Sequence, residues 1–367
     1  KGVLISMKRK ILIIIFSFLI IISGIFFYLY NNKRDLNNII KNEQPNIKQD
    51  LKNDDNKIEN NLNKDDKANL KKNNFVSYNG SLKIKDNTLV NQYDEKIQLK
   101  GVSTHGIQWY GEFANETNIK TLRDKWNANL FRIAMYTNEN GYIQNKNLKE
   151  KVKEIVDIAI KLDMYVIIDW HILSDNNPNI YKEEAKEFFK EMSALYKNTP
   201  NVIFEICNEP NGNISWDNDI KPYAEEIINI IRQNSQNVII VGTGTWSQDV
   251  DKASLNPIND NNTMYALHFY AGTHKEDLRN KAQKALYKIP LFVSEWGVSD
   301  ASGSGGVYLD EAKKWIEFMN ENNLSWASWS LSNKNESSAL LLPNAPFNDI
   351  SDVYLSEAGK FVKQNMK

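Results

Sequence analysis

Val202-Ile203-Phe204-Glu205-Ile206-Cys207-Asn208-Glu209-Pro210 is the stretch on which the fold turns. It opens as a short, mostly apolar run and closes in polar and constrained residues. Such a run suits a strand buried on both faces, as in a parallel sheet. Pro210 has no N–H for a ladder, so the strand should stop there. Asn208 and Glu209 are then left at its carboxyl end, where parallel barrels keep their chemistry. Taken alone, the ending could equally be a polar turn. A second stretch, Pro290-Leu-Phe-Val-Ser-Glu-Trp-Gly297, has the same design and ends in Glu295. Two buried strands that each deliver a Glu to the same end suggest a carboxylate pair.

Alternating apolar strands and amphipathic helices surround these two stretches. Strands are expected at 97–103, 130–135, 165–170, 202–207, 238–242, 264–269, 291–294 and 325–330. Helical patterns cover 119–126, 148–162, 181–196, 222–231, 275–286 and 309–320, with a weak one near Ala253 and a closing one at 355–362. Pro222 fits a first helical turn, where its missing N–H is harmless. Leu82–Ile84 and Leu89-Val90, split by Asp86-Asn87, read as a hairpin able to cover one end of a barrel. The pattern predicts an α/β fold, a (β/α)8 TIM barrel, which usually takes about 250 residues. A doubly wound sheet is the alternative, but no Gly-rich phosphate loop opens a helix.

The chain has 367 residues, 41% hydrophobic and 11% aromatic, enough for a large core. A formal net charge of -1 gives no basic face for nucleic acid. The nine Trp and sixteen Tyr can serve a core or the flat walls of a sugar cleft. Cys207 is the single cysteine, so no intramolecular disulfide and no cysteine-built metal site is expected. Strand alternation would set Cys207 on the face of Glu209, although packing is the favoured role for it.

Ahead of the folded region, Ile11 to Tyr30 is an almost unbroken apolar run, about the length that crosses a bilayer. Lys8, Arg9 and Lys10 precede it and should stay cytoplasmic. Met7 is a plausible start. The run is longer than the roughly 7–15 residues of a signal-peptide core and lacks a clear cleavage site, which favours an uncleaved anchor over a cleaved signal. Residues 31–74 are rich in Asn, Lys and Asp without an aromatic, and are expected to form a disordered tether. The expected organisation is an anchor or signal at 1–30, a linker at 31–74 and a barrel at 75–367. The barrel would be exported, at the cell surface if the anchor stays.

The expected strand ends collect one kind of chemistry. They carry His105, Arg132, Tyr136, Asp169, Trp170, His171, Asn208, Glu209, Trp246, His268, Tyr270, Glu295 and Trp329. Two carboxylates suit glycoside hydrolysis, in which one protonates the leaving oxygen and the other stabilises an oxocarbenium-like centre. Arg132 and Tyr270 would keep Glu295 ionised. Partial burial and the charge of Glu295 would keep Glu209 protonated. Glu209 is therefore read as general acid/base and Glu295 as nucleophile. Arg132 could instead be a structural ion pair, His171 and His268 satisfied core histidines, and Trp329 core packing.

At these residues the sequence resembles glycoside hydrolase family 5, the cellulase family. The motifs are Phe-Arg-Ile with Arg132, Asp-Trp-His with His171, Asn-Glu-Pro with Asn208 and Glu209, His-Phe-Tyr with His268 and Tyr270, Ser-Glu-Trp-Gly with Glu295, and Trp-Ser-Leu-Ser with Trp329. The likeness runs from about Ser81 to Leu341. Gly101 to Gly111 and Ser332 to Leu341 resemble local signatures of its bacterial endo-β-1,4-glucanases. That resemblance implies that His105, Trp109, Tyr136, Lys334 and Glu336 bind glucose units on the non-reducing side, and that Trp246 stacks a unit beyond the cleavage point. It implies a retaining double displacement on β-1,4- or mixed-linkage glucan, with Asn208 on the sugar 2-hydroxyl, Trp329 under the reacting sugar, and no metal or cofactor. Retention predicts carboxyl groups roughly 5–5.5 Å apart, and inversion about 6.5–9.5 Å. A monomer is expected. The alternatives are a mannanase or xylanase of the same fold, a surface adhesin that binds glucan without cutting it, and a hydrolase with a metal on His105, His171, His268 and a Glu.

Overall fold

The computed structural model describes residues 75–366. The expected anchor at 1–30 and tether at 31–74 lie outside the described residues. Among the described residues no helix is long and apolar enough to cross a membrane.

Eight parallel strands close into a barrel, which excludes the doubly wound alternative. They follow an antiparallel hairpin of β1 (Lys83–Lys85) and β2 (Thr88–Val90). The barrel strands are β3 (Lys100–Thr104), β4 (Leu130–Tyr136), β5 (Tyr165–His171), β6 (Val202–Glu205), β7 (Ile239–Val241), β8 (Thr263–Tyr270), β9 (Leu291–Gly297) and β10 (Trp326–Leu331). Each pairs with its neighbours in sequence, and β10 pairs with β3 to complete the ring. Helices Leu148–Lys161, Lys182–Leu195, Lys221–Arg232, Glu276–Leu286, Leu309–Glu321 and Glu357–Asn365 pack outside.

Strand limits differ from expectation for identifiable reasons. β3 starts at Lys100 because the Ile97 N–H donates to Leu89 O of the hairpin and the Leu99 N–H to the Ser325 hydroxyl. The helix expected from Ile119 starts at Glu116, where the Asn115 side chain accepts from the Asn118 N–H. Its last turn, Leu122–Trp126, widens to a π-helix and stops at Asn127, whose left-handed φ of 67° ends helices.

Alternation sorts the side chains into layers. Inside the barrel, Leu99, Leu130, Tyr165, Ile167, Ile203, Ile240, Met264 and Phe292 form an apolar plug, capped by Leu82 and Leu89 of the hairpin. Outside, Val202, Phe204, Ile206 and Cys207 join the large cluster between sheet and helices. Cys207 thus packs outward. Because β6 ends at Glu205, alternation does not carry on to Glu209, and the two residues do not share a face. One step above the plug the inward side chains become charged, and the site begins there.

Candidate active site

Arg132 is the hub. Its guanidinium is fully buried, and Nε donates to Glu205 Oε2 at 2.7 Å. Nη1 donates to Glu295 Oε2 at 3.1 Å, and Nη2 to Asn208 Oδ1 at 2.6 Å, with Asp169 Oδ2 3.0 Å away. Burial opposes the charge, but Asp169, Glu205 and Glu295 outweigh it and raise the Arg132 pKa. Glu205 feels the converse: burial opposes its charge, yet Arg132 and His268 pull it down to about 2. For Asp169 burial wins over Arg132 and its pKa rises well above the usual carboxylate range. One of its oxygens has no hydrogen-bond partner.

Glu295 reaches this hub through an irregularity in β9. Ala266 of β8 pairs with Phe292, but His268 pairs with Glu295, so two steps on β8 meet three on β9. The same mismatch faces β10, where Trp326 pairs with Val293 and Ser328 with Trp296. One extra residue in β9 is a β-bulge, the device that re-aims side chains beside active sites. It turns Ser294 and Glu295 both inward, while Trp296 returns to the outer cluster. Tyr270 donates its hydroxyl to Glu295 Oε1 at 2.8 Å. Burial and the charges of Glu295 and Glu209 raise the Tyr270 pKa well above normal, so it stays a donor.

Glu209 lies on the loop after β6. The loop's path is fixed by the Ser247 hydroxyl on Asn208 O at 2.7 Å and by the Trp246 N–H on Pro210 O at 3.1 Å. Gly242 lets β7 approach, since a Cβ there would come within 2.2 Å of Cys207 O. Glu209 Oε1 is 2.9 Å from His268 Nδ1. Burial opposes a charge on His268, but Glu205 and Glu209 raise its pKa to about 9.

His171 is the opposite case, held neutral by burial and by Arg132, with its pKa at about 3. Its tautomer follows from its partners. Asn208 Oδ1 is taken by Arg132, so Asn208 Nδ2 faces His171 Nε2 at 3.2 Å as donor. Nδ1 then carries the hydrogen and donates to Asp169 Oδ2 at 2.6 Å. Arg132 and Asp169 thereby fix the rotation of the Asn208 amide.

Above this floor opens a cleft of about 760 Å³. Of the residues expected at the site, Arg132 and Asn208 lie beneath it. It is lined by Glu209, Glu295, His171, His268, Tyr270, Trp329, His105, Trp109, Tyr136, Trp246, Lys334 and Glu336. Trp329 stacks on His171 at 5.4 Å between ring centres, and Tyr136 meets the other rings of this wall. Lys334 pairs with Glu336 at 2.6 Å and sits 3.3 Å from His105 Nε2. Burial and the Lys334 charge push the His105 pKa down to about 3. Trp109 (43% exposed) follows β3 and Trp246 (46% exposed) follows β7, on opposite sides of the ring. Thr245, Trp246 and Ser247 all have left-handed backbones, with φ of 55°, 53° and 57°. Such strain in non-glycine residues clusters at ligand-binding positions.

Sequence reasoning missed Glu205 and Ser294 in the floor, and Glu139, Gln248, His274, Ser302 and Gly303 on the rim. The signal for Glu205 was present, since a carboxylate inside an otherwise apolar buried strand must have a partner. The Gly-Ser-Gly-Gly run at 303–306 was the signal for the rim loop. Glu209, His268 and Glu295 are the one group of donors in the described residues close enough to share a metal ion. His105 and His171 do not belong to it, and the adjacent Arg132 opposes a second cation there.

A family model described as cellulase (glycosyl hydrolase family 5) matches residues 90–335. The chain is 60% identical over 277 residues to endoglucanase A of Evansella cellulosilytica, covering 74% of this chain and 57% of that one. It is 55% identical over 295 residues to an endoglucanase of Clostridium saccharobutylicum, covering 79% and 66%. The chain thus spans roughly three-fifths of the length of these relatives. Among solved structures, the catalytic domain of a Thermobifida fusca endoglucanase in complex with cellotetraose superposes with a TM-score of 0.77 at 34% identity, over 79% of this chain and 98% of that one. The chain belongs to glycosyl hydrolase family 5, the cellulase family.

Proposed function

We propose that the protein is a retaining endo-β-1,4-glucanase acting on cellulose-type or mixed-linkage β-glucan. The observation that carries this reading is the closeness of the two glutamates. One oxygen each from Glu209 and Glu295 lie within 4.8 Å of each other at the bottom of the cleft. That closeness favours the roughly 5–5.5 Å spacing of a retaining pair over the about 6.5–9.5 Å of an inverting one.

In this mechanism Glu295, held by Arg132 and Tyr270, attacks the anomeric carbon. Glu209 protonates the departing oxygen, and a glycosyl-enzyme forms on Glu295. Glu209 then takes a proton from water, which releases the sugar with its configuration retained. Trp329 gives the reacting ring an apolar floor, and Asn208, its amide shared among Arg132, His171 and Ile172 O, braces that floor from beneath; the expected contact with the sugar 2-hydroxyl would need one of these bonds to be exchanged. Trp109 and Trp246 offer flat faces to glucose units on either side, matching the equatorial hydroxyls and C–H faces of a β-glucan. The relatives' names support the glucan class. The apolar run at 11–30 supports display of the barrel outside the cell on an N-terminal anchor, and external protease treatment of intact cells would test that placement.

The functional test incubates the enzyme with carboxymethylcellulose, lichenan, mannan and xylan, with Glu209→Gln and Glu295→Gln variants alongside. A fast viscosity fall on the glucans, abolished in both variants, is expected. Cleavage of mannan or xylan alone would reassign the substrate. Binding without cleavage would turn the reading to an adhesin.

A further inference from the structure

Glu205 is fully buried and does not line the cleft, yet a short chain of hydrogen bonds links it to Glu209. Its Oε1 accepts the Ser294 hydroxyl at 2.6 Å. With its hydrogen spent there, Ser294 Oγ can only accept from His268 Nε2, 2.9 Å away. Nε2 therefore carries a hydrogen. The other ring nitrogen, Nδ1, faces Glu209 Oε1 at 2.9 Å. The bulge in β9 is what brings Ser294 into this line.

We propose that Glu205 and Ser294 are positioning residues that lock His268 with Nε2 protonated, so that the hydrogen on the Nδ1···Oε1 contact is the proton Glu209 delivers to the leaving oxygen. The inference rests on the acid/base role given to Glu209 above. During glycosylation the bond from the anomeric carbon to the leaving oxygen breaks and a bond to Glu295 forms. The shared proton passes to the leaving oxygen through Glu209. During deglycosylation the attacking water bonds the anomeric carbon, the bond to Glu295 breaks, and the water's proton returns to Glu209 and the Nδ1 contact.

The surroundings of His268 favour holding that proton. Glu205 and Glu209 face it from the β6 side and Glu295 from β9. Asp169 and His171 act from β5 and Tyr270 lies on its own strand. Arg132 of β4 is spent on Glu205, Asp169 and Glu295. A buried polar pair that only filled space would have no need to end on the ring that touches Glu209. Glu205 also holds two partners at once, with Arg132 on one oxygen and Ser294 on the other.

Glu205→Gln removes the charge at the head of the chain, and Ser294→Ala removes its middle. The second variant carries the test if the first does not fold. Each is assayed from acid to alkaline pH on cellotetraose, whose leaving group needs a proton, and on a dinitrophenyl cellotrioside, whose leaving group does not. The alkaline limb of kcat/KM on cellotetraose should move to lower pH by about one unit, with roughly tenfold loss above it. The dinitrophenyl substrate should lose far less. Equal loss at every pH and on both substrates would reduce Glu205 and Ser294 to structural roles and overturn the proposal, as would an unchanged profile. Glu209→Gln is the control. If it too loses equally on both substrates, the acid/base assignment falls and the proposal falls with it. If it spares the dinitrophenyl substrate while the other two variants do not, only the proposal falls.

Discussion

Ser294 and Glu295 are neighbours in the chain, and both point into the barrel. Ser294 bonds Glu205 and His268, while Glu295 bonds Arg132 and Tyr270. A regular strand would send one of them to the helices. The extra residue in β9 prevents this, so the carboxylate of Glu295 is placed by backbone geometry as well as by its partners. Shortening it should therefore be severe. Glu295→Asp withdraws the carboxylate by about one carbon–carbon bond, and misplacement on the order of 1 Å can lower a rate about 10²-fold. The expected result is a kcat reduced by at least that factor on an aryl cellobioside, with thermal unfolding close to wild type.

Removing Arg132 should damage the fold as well as the chemistry. Its guanidinium is the shared partner of Asp169, Glu205 and Glu295, and the first two are fully buried. Arg132→Met leaves buried carboxylates without their counter-charge, an effect of about 3–5 kcal/mol. Chemical denaturation near neutral pH should show a loss of that size, and Arg132→Lys should recover only part of it because Lys cannot form the fork.

The pH dependence of stability follows from the same groups. The folded pKa of His268 is raised from 6.5 to about 9. Its contribution is full below about 6.5 and is lost as pH rises to about 9, amounting to about 3 kcal/mol. Glu205 is depressed from 4.5 to about 2, so its contribution is full above 4.5 and is lost as pH falls towards 2. His105 and His171, depressed from 6.5 to about 3, also favour the folded state less as pH falls from 6.5 towards 3. Asp169, raised by burial, works the other way and favours the fold at low pH. Thermal unfolding should therefore show a decline between about pH 6.5 and 9, and His268→Gln should flatten it.

The two exposed tryptophans should separate in their effects. Trp246→Ala and Trp109→Ala each remove a flat platform at one side of the cleft. Aromatic contacts of this kind contribute about 0.5–1.5 kcal/mol beyond area burial, up to roughly tenfold in affinity. Each variant should raise KM for long cello-oligosaccharides by about that factor. Product patterns should shift in opposite senses, because the rings follow β3 and β7 across the barrel.

Much of the barrel and most of the cleft could be read from the chain, because inward alternation on regular strands places Arg132, Tyr136, His171, His268 and Tyr270. Three features are harder to read. Glu205 lies one layer below the strand ends, among positions that apolar side chains otherwise fill, and only its charge marks it. Ser294 enters the site through a bulge, and period-2 reading has no signal for an inserted residue. The orientation of Trp246 depends on three successive left-handed residues held by Asn208 O, Pro210 O and Asp249, contacts that exist only after the barrel closes. Cys207 packs in the core as expected, but not on the face of Glu209, because strand alternation ends with β6 at Glu205.

The most direct test of the account is to trap its intermediate. The enzyme is incubated with a 2-deoxy-2-fluoro cellobioside bearing a dinitrophenyl leaving group, then digested and analysed by mass spectrometry. The account predicts time-dependent inactivation and a fluorocellobiosyl adduct on the peptide carrying Glu295, absent in Glu295→Gln. An adduct on another residue, or no adduct together with release of the α-anomer from an oligosaccharide, would contradict it.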